Sequence, residues 1–552
     1  MIVFELILFF LSIGVFSISI AGFGTLLSSK IKIKSNFFLD IFLGFIIISA
    51  LITTLHFFFK IKINIKFLFL LIGLLIFFKK KNILALIKSI KKRHIFYILI
   101  IGLLIPMFVS QKYHEDFGYY HLPYAIAFIE EKIILGFANV DQSYVYNSIW
   151  LNIYPVFFLD EKNYNFLTFP SFLLFLSFII FSVSRILNKK NIEMSDCYLI
   201  VVLFYFILKF TRISEFGVDF PASIFSVLGI FYFIKFYETN ENVEKKSFFY
   251  LNLVFSFFSV LIKLSTLPMI ILPIYLYSFN FKNLKFYVFN IQFLFIYSLG
   301  FVFFIQQFIY TGCLFFPSKF TCLNVSWFNF EYLKLSNYLE LVNKSYANAK
   351  AIYSPDDYLK NFTWFSFWLK RNLVEILEHL MTIIFPSLIF FSILKKKYNK
   401  KYVSKKEGFI YFFCFLYLFF WLNFSPVFRF AIPVFATLSF IIFSRFYMTK
   451  ILSKKIFITF ISIFLLFNFS KNIMRIKDTK KVFIGIQQIE NKYLLNGENS
   501  NENANIYYPD IKKNTQNGWQ GRLCWDIPFI CTYNNIDVGK KNGYLIFNKL
   551  KN

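Results

Sequence analysis

Charged residues are scarce in this chain, 16% of 552, too few to cover the surface of a soluble protein of that size. Acids are scarcer still: 30 Asp and Glu stand against 59 Lys and Arg, for a net charge of +29. That balance would suit a nucleic-acid binder. The Lys residues, however, lie in short runs between apolar stretches, where membrane topology alone accounts for them, so no nucleic-acid partner is expected. Histidine is rare, with five in all, and no His/Cys/Asp cluster has metal-ligand spacing. This argues against a zinc site and leaves room for a divalent metal (Mg or Mn) without requiring one. The first apolar segment lacks a small-residue cleavage site and is too long for a signal-peptide core, so it is read as an anchor.

Apolar and aromatic residues are abundant. Hydrophobic residues make up 58% of the chain, with 85 Phe and 34 Tyr, and the mean hydropathy is +0.60. Part of this reflects the Phe, Ile, Lys, Asn and Tyr that AT-rich codons supply. Clear apolar runs, approaching the roughly 20 residues a bilayer requires, cover 3–27, 37–59, 95–110, 167–187, 286–308, 374–394 and 430–446. Shorter or interrupted ones cover 64–78, 197–210, 221–236, 248–264, 267–280, 408–424 and 456–469, several broken by Pro or Lys. The expected fold is an all-α integral membrane protein of about 12–14 transmembrane helices, with large extracytoplasmic loops.

Sidedness follows from the short basic loops. Segment 79–94 carries seven basic residues and no acid, and 395–407 is similar with Glu407 alone, so both are read as cytoplasmic. Segment 111–166 is rich in acids, including Glu130, Glu131 and Asp141. Counting spans places 111–166, 309–372 and the tail 470–552 outside. The chain thus divides into N-terminal hairpins with a basic loop (1–94), a membrane core (95–469) and a small mixed C-terminal domain (470–552). Within that tail, 491–518 is rich in Asn, and Lys481 to Ile484 and Tyr544 to Asn548 read as strands. Cys313 with Cys322, and Cys524 with Cys531, form two local pairs on the outer side, where disulfides form and persist. Cys197 and Cys414 fall in or beside spans and read as buried thiols.

The densest set of functional candidates is His114-Glu115-Asp116-Phe117-Gly118-Tyr119-Tyr120-His121-Leu122-Pro123, directly after the span at 95–110. An acid held just above a membrane is partly desolvated and becomes a stronger base. Tyr124 to Ile134 reads as an amphipathic helix on the interface, broken at Gly136-Phe137-Ala138-Asn139. Asp116 with Tyr120-His121-Leu122-Pro123 resembles the D-x-x-x-Y-H-x-P element of bacterial C-type glycosyltransferases, polytopic relatives of protein mannosyltransferases and lipid A aminoarabinose transferases. Gly217-Val218-Asp219-Phe220-Pro221 resembles their second outer acidic motif, and Lys263-Leu264-Ser265 their K-x-[ST] turn. Tyr310-Thr311-Gly312 with Phe316-Pro317 is similar to their T-G-x-P-x-x-P loop, with Cys313 and Leu314 departing from it. Arg429-Phe430-Ala431-Ile432-Pro433 is similar to their late R-[FY]-x-x-P element. The resemblance spans roughly 95–446.

The resemblance implies transfer of a sugar from a polyprenyl-phosphate carrier, drawn from the membrane lipid, to an envelope glycan, lipid or protein acceptor. The setting it implies is the outer face of a bacterial inner membrane. It implies Asp116 as general base with Glu115 as the alternative, and Arg429, Lys263 or Arg212 as counter-charge for the departing phosphate. Asp219 would orient the acceptor or hold a metal, Tyr120 would line the site, and His121 would bond the phosphate or position Asp116. Each residue also has an ordinary structural reading. Asp116 and Asp219 suit solvated turns, Lys263 and Arg429 suit snorkelling at span ends, and His114, His121, Tyr119 and Tyr120 suit interface packing. A polysaccharide polymerase or ligase uses the same carrier chemistry. A lipid-linked glycan transporter or flippase is the rival from another class, although no internal repeat is evident.

Overall fold

Each apolar run named above falls mainly on helix where its residues are described. A computed structural model describes residues 2–31, 36–80, 92–109, 116–158, 169–189, 193–209, 217–281, 291–394, 407–447, 453–479, 495–501, 504–509, 524, 527–532, 534 and 536–549. Its long helices are α1 (Ile2–Ile31), α2 (Phe37–His56), α3 (Ile63–Lys80) and α4 (Lys92–Val109), followed by the short α5 (Leu122–Glu130). Then come α6 (Phe169–Asn188), α7 (Met194–Lys209), α8 (Asp219–Glu238), α9 (Asn242–Ile262), α10 (Ile271–Phe279) and α11 (Ile291–Thr311). The last are α12 (Glu331–Asn343), α13 (Thr363–Ile393), α14 (Glu407–Phe424), α15 (Ile432–Tyr447) and α16 (Lys454–Thr479).

Among the described residues eight helices are long and apolar enough to cross a bilayer: α1, α2, α6, α8, α9, α11, α13 and α16. Four further apolar stretches are shorter, at 95–108, 264–279, 408–424 and 432–443. The chain is thus helical, with the architecture of a multi-pass membrane protein. Run 267–280 falls short for a visible reason. After α9 the chain takes an extended residue at Lys263 and a 3-10 stretch, Leu264–Ile270, that contains Pro268, leaving nine residues for α10. Proline supplies no amide donor and disfavours continuation of the helix through it.

Small residues let the first helices approach closely. A Cβ built on Gly24 of α1 would lie 1.7 Å from the Asp40 carbonyl oxygen of α2, and one on Gly22 would lie 1.9 Å from the Gly73 carbonyl of α3. Helices α8 and α9 form an antiparallel hairpin, tied by a 2.8 Å bond from Asn252 Nδ2 to the Gly229 carbonyl. At the end of the bundle where that hairpin turns, an ionic network joins α6, α7 and α8. Arg185 Nε donates to Asp196 Oδ1 at 2.9 Å, Lys189 pairs with Asp196 at 3.0 Å, and Glu238, paired with Lys235 at 2.9 Å, accepts from the Ser195 amide of α7 at 2.7 Å.

The long polar segments gather at the opposite end. Asn139 Nδ2 donates to the carbonyls of both Trp327 and Phe547 at 2.9 Å, joining the 131–158 segment, the 312–330 loop and the tail. The tail carries two antiparallel hairpins, β1 (Leu495–Asn501) with β2 (Ala504–Pro509) and β3 (Ile536–Lys541) with β4 (Tyr544–Lys549). Tyr544 to Asn548 lies on β4; Lys481 to Ile484 is outside the described residues. The tail docks as part of the main core. Leu135 bridges in parallel to Ile546 of β4, and Ile530, Val538 and Phe547 join the principal hydrophobic cluster.

The packing around α5 revises the reading of Tyr124 to Ile134 as an interfacial helix. In α5 every residue from Leu122 to Ile129 is buried. His56 stacks on Phe128 at 3.6 Å, and Tyr124 packs against Phe137 and Tyr310. With apolar contacts on all sides, α5 is a core element.

Candidate functional site

Asp219 is the first residue of α8, where an acid complements the helix dipole and Pro221 is tolerated within the first turn. Lys263 is the extended residue that ends α9. Arg429 lies on the 3-10 turn Phe428–Phe430 between α14 and α15. Because α8 and α9 are antiparallel, the start of one and the end of the other meet at the same end of the bundle. The α14–α15 turn arrives there too. Lys263 Nζ donates to Asp219 Oδ1, and Arg429 Nε donates to Asp219 Oδ2 at 2.6 Å. One carboxylate therefore holds two cations through its two oxygens. Phe430, which the sequence reading left without a role, floors the cluster, with Lys263 Nζ 3.5 Å and the Arg429 guanidinium carbon 5.3 Å from its ring centre.

The cluster is neither sealed nor fully wet. Side-chain exposure is 22% for Asp219, 22% for Lys263 and 41% for Arg429. Burial pulls the Lys263 ammonium below the usual lysine range, the nearby Arg429 adds to that, and Asp219 and Asp116 pull the other way. Asp116 thus lies close enough for its charge to act on Lys263. The segment after α4 contributes Asp116 and Tyr120 through a single π-turn, Phe117–His121, that leads directly into α5. Such turns recur at functional sites because they re-aim side chains within a helix. Burial, then the charges of Asp116 and Asp219, push the Tyr120 phenol well above its usual pKa, with Arg429 opposing. Tyr120 is accordingly a neutral hydrogen-bonding group near the two acids.

The structure thus brings together Asp116, Tyr120, Asp219, Lys263 and Arg429. His121 is buried, edge-on to Tyr120 with ring centres 4.2 Å apart. Glu115, His114 and Arg212 lie outside the described residues. Cys313–Cys322 and Cys524–Cys531 are disulfides, while Cys197 and Cys414 are buried free thiols. Among the described residues no group of three or more His, Cys, Asp or Glu is placed to hold a metal.

Beneath the loop lies a buried polar network absent from the sequence reading. Tyr124 donates to Asn152 Oδ1 at 2.6 Å, and Asn152 Nδ2 bonds Thr53 Oγ1 at 2.7 Å and Gln306 Oε1 at 3.0 Å. Asn147 Nδ2 reaches the same Gln306 oxygen at 2.9 Å, and Gln306 Nε2 donates to Tyr310 at 3.0 Å. This network fastens α5 and the loop to α2 and α11. Tyr124 is one helical turn beyond Tyr120, so the network sets where the π-turn sits. Its sequence signal was the pair Gln306-Gln307 inside an otherwise apolar run, since polar groups in spans persist where they have partners.

Comparison with curated proteins and with solved structures returns no match. A family model does match: residues 6–436, well over half of the chain and including all five residues of the cluster, place this protein in the family described as a domain of unknown function, DUF8201.

Proposed function

We propose that the protein is a membrane glycosyltransferase that moves a sugar from a polyprenyl-phosphate donor to an acceptor at the end of the bundle carrying the long loops. This end would face the exterior of a bacterial inner membrane. The observation that carries the reading is the meeting of Asp219, Lys263 and Arg429 beside Asp116. These residues come from separate segments, and each belongs to a motif that resembles the C-type glycosyltransferases.

The chemistry follows from the charges. The bond between the anomeric carbon and the phosphate oxygen breaks, its electron pair staying with the phosphate, while the acceptor oxygen bonds to that carbon. The acceptor proton passes to the Asp116 carboxylate, a step for which a positioned base contributes about 10²–10⁴-fold. Lys263 and Arg429 neutralise the phosphate as it gains charge, and fixed cations of this kind contribute most in a partly desolvated site. Asp219 keeps the two cations side by side before the donor arrives. Phe430 and Tyr120 supply an apolar floor and a neutral hydrogen-bonding group.

The test is a transfer assay in membranes or detergent with a panel of polyprenyl-phosphate sugars and extracted envelope acceptors. Wild type is expected to transfer label, and Asp116→Asn is expected to fold, bind donor and lose at least about a hundredfold in rate. Full activity in Asp116→Asn would move the base to Glu115. Absence of donor consumption by wild type under every condition would defeat the transferase reading in favour of transport.

A further inference from the structure

Helix α11 presents an exposed apolar stripe, Leu294, Tyr297 and Phe301, at the three- and four-residue spacing of one helix face. Phe304 and Phe308 continue the stripe toward the end of the helix, and there the chain folds back over it. The Phe315 ring lies 6.4 Å from that of Phe304, and Trp327 packs on Phe308 with ring centres 6.1 Å apart. Phe304 precedes the last residue of α11 by seven positions, about 10 Å of helix. The 312–330 loop therefore turns back along the side of α11 that bears the exposed stripe.

The tip of this loop is closed by the Cys313–Cys322 disulfide and braced by Thr321. Its hydroxyl donates to the Phe315 carbonyl at 2.9 Å and accepts from the Phe315 amide at 3.0 Å. Cys313 and Phe316 are buried on the protein side. The other side carries Leu314, Phe320, Leu323 and Phe330, all exposed, and Phe320 at 102% is touched by almost nothing. Lys319 adjoins it, with its ammonium 5.3 Å from the Phe330 ring. A rigid loop with aromatic and aliphatic side chains facing outward, one lysine at its tip and a tryptophan at its base has the composition of a membrane–water boundary.

We propose that the disulfide-closed loop 313–322 is an interfacial anchor. The side chains of Phe320 and of Leu323, which follows the disulfide, enter the acyl region beside α11, and Lys319 meets the lipid phosphates. The occupant is the bilayer leaflet at the loop-bearing end. This follows from the loop continuing a lipid-facing stripe, and it rests on the reading of α11 as a membrane span.

Photo-crosslinking tests it without adding a cysteine. The full chain carries p-benzoyl-phenylalanine in place of Phe320, of Phe301 as the span reference, or of Asn337 on the polar face of α12 as the aqueous reference. Each variant is reconstituted in vesicles of phosphatidylethanolamine and radiolabelled phosphatidylglycerol and irradiated. The expected result is a lipid adduct at 320 closer in yield to that at 301 than to that at 337. A yield closer to the 337 level, with adduct present at 301, overturns the anchor alone. No adduct at 301 overturns the membrane reading of α11 and the anchor with it. A cross-linked protein dimer in place of the lipid adduct at 320 assigns the surface to a second copy and also overturns the proposal.

Discussion

Arg429 and Asp219, 210 positions apart in the chain, are joined by a 2.6 Å bond from Nε to Oδ2, and Lys263 takes the other oxygen of the same carboxylate. Removing the shared acid leaves two neighbouring cations facing each other on an aromatic ring. Asp219→Asn keeps the shape and drops the charge. The expected cost is about 1 kcal/mol of stability, modest because Arg429 retains access to water. Transfer activity is expected to fall at least about tenfold as the cations lose their alignment. Thermal unfolding in detergent, beside the transfer assay, separates the two effects. An unchanged rate in a folded Asp219→Asn protein would show that the acid does not serve catalysis.

Lys263 gives a prediction about pH. Only the ammonium form can balance a phosphate, and burial holds its pKa below that of an ordinary lysine. As pH rises, the cation is therefore lost earlier than at an exposed lysine, and kcat/KM should fall on an alkaline limb that begins below the usual lysine range. Arginine does not deprotonate in this range, so Lys263→Arg should move that limb upward even if its geometry lowers the plateau. A limb that stays in place in Lys263→Arg belongs to another group.

Much of this cluster was legible because each member sits where an apolar pattern stops. Asp219, Lys263 and Arg429 each mark a helix start, a helix end or a turn, and the same breaks that predict topology place them at one level. The burial of α5 was not legible. Its sequence, Leu122 to Glu130, has the apolar content of either an interfacial or a core helix, and the choice is made by partners distant in the chain, His56 of α2 against Phe128 and Tyr310 of α11 against Tyr124, with the tail adding a 2.9 Å bond from the Phe529 amide to Glu130 Oε2. The Gln306 network was missed for a similar reason. Its partners Thr53, Asn147 and Asn152 come from segments whose proximity no local periodicity encodes. The length criterion separating the eight long helices from the shorter ones also depends on local breaks, such as Pro268, that a hydropathy window smooths over.

The Gln306 network predicts a coupling between core and site. Gln306→Leu fills similar space but leaves Asn147 and Asn152 without their shared acceptor and removes a donor to Tyr310. Unsatisfied buried polar groups of this kind cost about 1–3 kcal/mol. The unfolding midpoint should drop, and the transfer rate should fall more than donor affinity because the π-turn bearing Asp116 and Tyr120 loses its support. Gln306→Glu keeps the acceptor and should recover more of the rate than Gln306→Leu.

The α1–α2 contact predicts a steric limit. A Cβ on Gly24 would lie 1.7 Å from the Asp40 carbonyl oxygen, a backbone atom that cannot turn aside. Gly24→Val should force the helices apart at a cost of about 1–3 kcal/mol or more, seen as loss of the monodisperse peak on size exclusion. Gly14, with nothing within 4 Å of its Cβ position, should accept the same change without loss of that peak.

The tail gives the sharpest separation of structure from chemistry. Gly136 adopts φ of +72° and lies under β4, where a Cβ would meet the Phe547 carbonyl oxygen at 2.2 Å and the Trp327 Cβ at 2.7 Å. Both the backbone conformation and the close approach therefore demand glycine. Gly136→Val should displace β4 from Leu135, breaking the paired bonds from Leu135 N to the Leu545 carbonyl at 3.1 Å and from Phe547 N to the Leu135 carbonyl at 2.9 Å. Limited proteolysis is expected to release the tail faster from the variant than from wild type. The polar network beneath α5, which does not involve the tail, should still hold the π-turn in place. If the tail binds acceptor, transfer in Gly136→Val should show a raised acceptor KM with kcat nearly kept. If the tail only covers α5, both constants should stay close to wild type at temperatures below unfolding.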